Sequence, residues 1–435
     1  MVTNLQHGRE RVRLGLLACI HVAICLVSLI TIAYYRNFSS FEPQTFHVLF
    51  DVAQLPYAIL TAGSFALLGA LFVFTRFSFG YFVTFYAYTV LLSYIWLNNF
   101  TDLNYDHRLA GFSAAAAAIA FMLPALLISA PIPQIFMLSE RAFDRLLVAI
   151  LLMSAAIVLV GASYNFRVVR IEEIYGFRSK IQLPVLLNYL IGIVSSSLLP
   201  FAFAGFLARE ARWRAVAALF LILCLYPVTL TKLTLFAPFW LAGIFVLTRL
   251  FEARVAVMLS LVLPMSAILL LAMMLGVKAD VPVSTVNFRM IAIPAVAIDV
   301  YSDFFSRHPI TYFCQVSFLK PFMDCPYQEM LAVVMEREYR IGNFNASLFA
   351  TEGIASVGFY LAPVAVLACG FIIAIGNRVS ATLPAPFVMV SGALLPQVLL
   401  NVPLSTTLLS HGAALLFLLW YITPRGIFSG EPQSA

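Results

Sequence analysis

The stretch from Gly276 to Gly353 is the one long segment of this chain that is not a continuous apolar run, and its residue types could do chemistry. It carries Arg289, Arg307, His308, Lys320, Arg337 and Arg340, two cysteines, and five acidic residues between Asp324 and Glu352. Guanidinium groups grip phosphate oxygens two at a time. Imidazole and carboxylate side chains are the usual acid–base groups. If the chain is an enzyme, its site is expected here or on surfaces facing this segment.

The rest of the chain must hold that segment in a membrane. Of 435 residues, 62% are apolar and only 11% charged, whereas a soluble domain carries about 25% charged residues. Apolar runs of roughly 20 residues, enough to cross a bilayer core of about 30 Å, recur almost throughout. The expectation is an all-α, polytopic transmembrane bundle forming a single integral membrane domain over 1–435. The net charge of +6 then bears on orientation in the membrane and not on nucleic acid.

Arg9, Arg11 and Arg13 precede the apolar run Leu14 to Tyr34, a basic flank that places the N-terminus in the cytoplasm. The run is longer than the apolar region of a signal peptide, and no small-x-small cleavage site follows, so it reads as an uncleaved helix. Further spans are expected at about 52–75, 79–97, 109–129, 146–162, 185–207, 215–230, 233–249, 255–276, 353–375, 383–402 and 408–423. The total is about twelve helices with both termini cytoplasmic. Pro227 and Pro238 leave the division of 215–249 open.

On this layout two loops on the outer face are rich in arginine: 163–184 and the large, partly helical 277–352. The first holds Arg167, Arg170, Arg178 and Lys180 beside Glu172 and Glu173. It reads either as a solvated loop or as an anion-binding lobe. Lys232, in YPVTLTKLTLFAP, either snorkels to an interface or meets an anion.

Within the large loop, Pro294 opens a segment whose Ala297, Tyr301, Phe304 and Phe305 share a helical face, while Asp299, Asp303 and Arg307 fall four apart on another. An amphipathic helix on the membrane surface or capping the bundle is expected, ended by His308-Pro309. A second helix follows Pro326 and stops before Gly342. Cys314 and Cys325 lie outside the expected spans and could form a disulfide on an oxidising face. Glu352 is expected at the membrane boundary, where a helix N-terminus favours its charge.

No phosphate-binding glycine loop and no metal-ligand motif of the HExxH or CxxC type occurs, so no metal or cofactor is expected. His21, His47, His107 and His411 are scattered, lack local carboxylate partners in sequence, and are expected to be structural. An arginine-rich surface on such a bundle suits an amphipathic anion, with its tail in lipid and a phosphate or pyrophosphate head at the loops.

The many short spans, the large late loop, the segment NFRMIAIPAVAIDVYSDFFSRHPITYF, the closing NFNASLFATEGIASVGF and the lysine-bearing TLTKLTLFAPF resemble Wzy-type O-antigen and exopolysaccharide repeat-unit polymerases. The RX10G motif of some members is absent from both loops. The resemblance implies a GT-C-like, metal-independent glycosyltransferase of the bacterial inner membrane. It would join polyprenyl-pyrophosphate-linked oligosaccharides on the periplasmic side, with a flippase and a chain-length regulator as partners.

Under this resemblance Arg289 is expected to stabilise the leaving pyrophosphate, supported by Arg170, Arg178 and Lys232. Arg167, Tyr301, Arg337 and Arg340 join the substrate-binding set. The base for the acceptor hydroxyl is expected to be His308, with Glu352 as second choice. An O-antigen ligase and a secondary transporter are the competing readings. The transporter reading expects broken helices with charges near the bilayer midplane.

Overall fold

A bilayer core offers the backbone no water, so spans of this composition satisfy their own N–H and C=O groups as helices. The computed structural model describes residues 2–36, 47–170, 173–178, 181–316, 319–341 and 345–428; Asn37, Glu172, Lys180 and Gly342 lie outside these. The structure is 77% helical, with no strand among the described residues. Among the described residues, eleven helices are long and apolar enough to cross a membrane. This is a multi-pass helical membrane protein.

The helix inventory keeps the expected division of 215–249 and departs from expectation in three other places. Residues 215–249 resolve into Arg212–Thr229 and Lys232–Leu250, separated where Leu230 turns left-handed and Thr231 caps the second helix. The expected span 383–402 breaks into Ala385–Ser391 and Leu395–Leu399. The expected span 408–423 contains only Ala413–Ile422, ten residues, preceded by the left-handed Gly412. Conversely Pro282–Arg307, expected within a loop, is a helix of spanning length.

The chain packs as two compact units. The first comprises Met1–Ile128, Arg254–Ala374 and Gln397–Leu404; the second comprises Ser129–Ala253, Ile375–Pro396 and Ser405–Ala435.

Helix Phe79–Leu97 is the core of the first unit. It is the least apolar of the eleven and the most buried, because a helix surrounded by other helices can carry polar groups that a lipid-facing one cannot. Its tyrosines use their hydroxyls as ties: Tyr81 to the Phe72 carbonyl at 3.1 Å, Tyr88 to the Ala66 carbonyl at 3.1 Å, Tyr86 to Ser260 at 2.7 Å and Tyr94 to Ser302 at 3.3 Å.

These ties set the path of helix 282–307. Arg254 reaches the Thr75 carbonyl and Tyr86 meets Ser260, so the 253–275 and 79–97 helices run side by side from a common end. Asn287 bonds the Met265 carbonyl and Ser28, about 16 Å along the first of these from Arg254. Ser302 meets Tyr94, about 22 Å along the other from Phe79. The two anchors differ in depth by only about 6 Å, although the helix between them is about 22 Å long. It therefore runs obliquely across the unit instead of along its neighbours.

The expected amphipathic face is also corrected. Every residue from Pro294 to Phe305 is buried, Asp299 and Asp303 included, so this helix is enclosed by protein and does not lie on a membrane surface.

A second departure concerns residues 349–380. Gly358 adopts φ 74° and ψ 174°, a conformation that glycine alone enters without strain, and the helix folds back there. A Cβ on Gly353 would lie 3.3 Å from Val366 and 3.5 Å from Ala362, a contact impossible in a straight helix, where nine residues span about 13 Å.

In the second unit, helix Val185–Ala208 contains a π turn at Val194–Leu198. Ser197 donates to the His411 carbonyl at 2.6 Å and Ser196 meets His411 Nδ1 at 3.0 Å, tying that turn to the break before Ala413.

Candidate functional site

Arg289 and Glu352 each sit in a π-helical turn, Phe288–Ala292 and Phe349–Ala355 respectively. Such turns interrupt the regular hydrogen-bond ladder and are frequent at functional sites. The first runs directly into helix Ile293–Arg307, and the second packs against that same helix. Arg289 is half-buried.

Glu352 is 8% exposed and accepts from the Thr351 hydroxyl at 2.6 Å. The fold-back at Gly358 carries it inward. Phe349 meets Phe121, about 21 Å along its helix from His107, whereas Phe359 bonds Ser113, about 9 Å along it. Glu352 lies between these levels, so it is an acid within the depth of the bundle and not a boundary cap. Ionisable side chains at such depth are costly and usually serve a purpose.

Toward its C-terminal end, helix 293–307 is held by a polar network. Asp299, fully buried, accepts from Thr101 at 2.7 Å and from Tyr105 through a short bond. Tyr105 has one proton and gives it to the carboxylate. Asn98, 2.9 Å from the Tyr105 oxygen, keeps its own acceptor for His107 Nδ1 at 3.1 Å and donates to the His107 carbonyl at 2.9 Å. Burial first, then Tyr94 and Asp299, push the Tyr105 hydroxyl well above its ordinary pKa, so it remains a donor.

One turn on, Asp303 takes a bond from Arg307 and one of 2.5 Å from Tyr339. His308 follows, half-buried, with Nδ1 donating to the Phe304 carbonyl at 2.9 Å and its ring stacked on Phe304 at 4.0 Å. That arrangement leaves Nε2 as the basic nitrogen.

Residues 309–341 form a lobe over this end. Cys314 and Cys325 are disulfide-bonded, with Cα atoms 5.4 Å apart, and Tyr327 donates to the Pro309 carbonyl at 2.7 Å. Helix Leu331–Tyr339 carries Arg337, which chelates Glu329 at 2.6 and 2.8 Å, and ends at the left-handed, exposed Arg340. Arg337 is thus already paired, though an exposed pair of this kind contributes little and can exchange partners.

Tyr301 needs correction as a substrate contact: at 1% exposure it is a core residue on the enclosed helix. Of the scattered histidines, expected to be structural for want of local carboxylate partners, His47 meets a distant one. Its Nδ1 lies 2.9 Å from Asp102, a residue 55 positions away whose approach no local spacing reveals. His21 meets Thr89 at 3.0 Å and is wholly buried.

Arg167, Arg170, Arg178 and Lys232 belong to the second unit. The three arginines are exposed and Lys232 is half-buried at the start of its helix. Arg167 lies over the Phe177 ring at 5.8 Å. Beneath them Ile174, Tyr226 and Leu230 form a small apolar core, which fixes the segment carrying Arg170 and Arg178 against the Lys232 hairpin. Arg289, His308 and Glu352 belong to the first unit.

Comparison of the chain with protein-family models, curated proteins and solved structures returned no match. The functional reading therefore rests on the site itself.

Proposed function

We propose that this protein is a membrane glycosyltransferase that polymerises polyprenyl-pyrophosphate-linked oligosaccharides on the outer face of a bacterial inner membrane. The observation that supports the reading is that Arg289 and Glu352 each sit in a π turn, one leading into and the other packed against the same enclosed helix. A reaction that expels pyrophosphate needs a preorganised cation where negative charge develops. Arg289 supplies it. The anionic lipid head is gathered by exposed guanidinium groups of the same unit such as Arg340. The proton of the attacking hydroxyl goes to a histidine at the outer end of helix 293–307, where His308 and His47 both stand.

The test is the glycan profile of a deletion strain complemented with wild-type, Arg289→Ala or Glu352→Gln copies. Long polymer restored by wild type alone supports the reading; an unchanged profile in the deletion strain removes it. Single-repeat-capped core that persists without long chains separates polymerase from ligase.

A second reading has a specific observation behind it. Interrupted helices at 194–198, 288–292 and Gly358, with an acid carried into the bundle, are features of secondary transporters. Substrate uptake into proteoliposomes that depends on Glu352 would favour it.

A further inference from the structure

His47 and Asp102 are brought together by the one isolated β-bridge among the described residues, Val48 to Thr101. Leu49 donates to the Phe100 carbonyl at 2.7 Å and Asp102 to the His47 carbonyl at 3.0 Å. Both backbones are therefore pinned on either side of the pair. Across them Nδ1 of His47 lies 2.9 Å from Oδ1 of Asp102. A carboxylate in that position fixes the tautomer, leaves Nε2 with the lone pair, and stabilises the imidazolium formed when Nε2 takes a proton.

The far nitrogen is unusual. Nε2 of His47 is shielded from solvent and has no hydrogen-bond partner among the described residues. A shielded polar atom left unpaired in this way calls for a functional account. The imidazole and the ring of Tyr339 meet edge-on with centroids 6.2 Å apart, and Tyr339 is itself held by Asp303 and Arg307.

We propose that His47 is the proton acceptor of this site, with Asp102 as its positioning residue. The assignment rests on the glycosyl-transfer reading and names the group that activates the acceptor. The sugar hydroxyl loses its proton to Nε2 as its oxygen bonds to the anomeric carbon. The bond from that carbon to the pyrophosphate oxygen breaks, and the pyrophosphate leaves with the electron pair. His308, also at this end, has only the Phe304 carbonyl behind its Nδ1, a neutral partner that cannot balance an imidazolium charge.

The experiment uses full-length protein in lipid nanodiscs with a polyprenyl-pyrophosphate-linked oligosaccharide, measuring turnover from about pH 5 to 9. His47→Gln is expected to lower kcat at least about 100-fold with KM little changed, and to abolish the acidic limb of the profile. Asp102→Asn, which keeps the contact but favours the wrong tautomer, should lower kcat by about tenfold or more. His308→Gln should cost less than either.

If His47→Gln lowers only the yield of folded protein, with kcat and the acidic limb retained, the assignment is overturned and the pair is a structural staple. The reverse ranking, with His308→Gln losing the limb, overturns it in favour of His308. A wild-type protein that builds no polymer in this assay removes the glycosyl-transfer reading itself.

Discussion

Tyr339 donates a hydrogen bond of 2.5 Å to Asp303, across 36 residues of sequence. It is the tie by which the lobe 309–341 holds the enclosed helix, and it shares its carboxylate oxygen with Arg307. Hydrogen bonds to charged acceptors contribute about 1.5–3 kcal/mol. Because Arg307 remains bonded in Tyr339→Phe, the loss should sit near the lower end. Limited proteolysis should cut residues 309–341 faster in this variant while the helices stay intact. Equal cutting rates would show that the tie does not hold the lobe.

The same tyrosine predicts alkaline behaviour. Burial first, then Asp303, holds its pKa above the ordinary value of 10.0. The folded protein therefore keeps a proton that the unfolded chain releases. The associated stability is fully present below about pH 10 and falls as pH rises beyond it. Melting temperatures measured across that range should decline less steeply in Tyr339→Phe than in wild type.

The Cys314–Cys325 bond closes a step of 11 residues. By loop-closure entropy it contributes about 2–3 kcal/mol. Reductant should lower the thermal stability of the lobe in wild type and leave a Cys314→Ser, Cys325→Ser double variant unmoved. A wild-type protein indifferent to reductant would mean the bond does not form in the membrane.

Asp299→Ala would remove the fully buried acceptor to which Tyr105 and Thr101 donate. The expected cost is about 2–4 kcal/mol, since each buried orphan costs about 1–3. Combining it with Tyr105→Phe should cost less than the sum of the single changes. A double-mutant cycle by thermal unfolding in detergent checks this; simple additivity would mean the two side chains act independently.

Two glycines give a matched pair. A Cβ on Gly192 would come within 2.4 Å of the Ser410 carbonyl oxygen, whereas one on Gly63 meets nothing within 4 Å. Gly192→Ala should lower folded yield sharply, by overpacking against backbone that cannot move aside. Gly63→Ala should be neutral or raise stability by about 0.5–1 kcal/mol. Fluorescence-detected size-exclusion profiles of the two variants read the difference.

The sequence alone determines that this chain is a helical membrane protein, because the length and composition of an apolar run decide whether it can leave water. The positions of helices such as Phe79–Leu97 follow from that rule, and so does the division of 215–249 into two spans, whereas the left-handed turn at Leu230 that makes it is seen only in the structure. Composition also marks out one segment, since charge concentrated at Arg289 to Glu352 stands out against apolar surroundings.

Tertiary structure decided the rest, and for a common reason. The aspartates four apart on helix 293–307 read as a wet face, yet Tyr105, Thr101 and Tyr339 arrive from distant segments to satisfy them. Glu352 read as an interfacial cap until the left-handed Gly358 folded its turn back against Val366. His47 had no partner until a bridge set it opposite Asp102. Local pattern reports whether a segment can enter the membrane; which polar groups meet there depends on contacts between residues far apart in the chain, and no spacing encodes them.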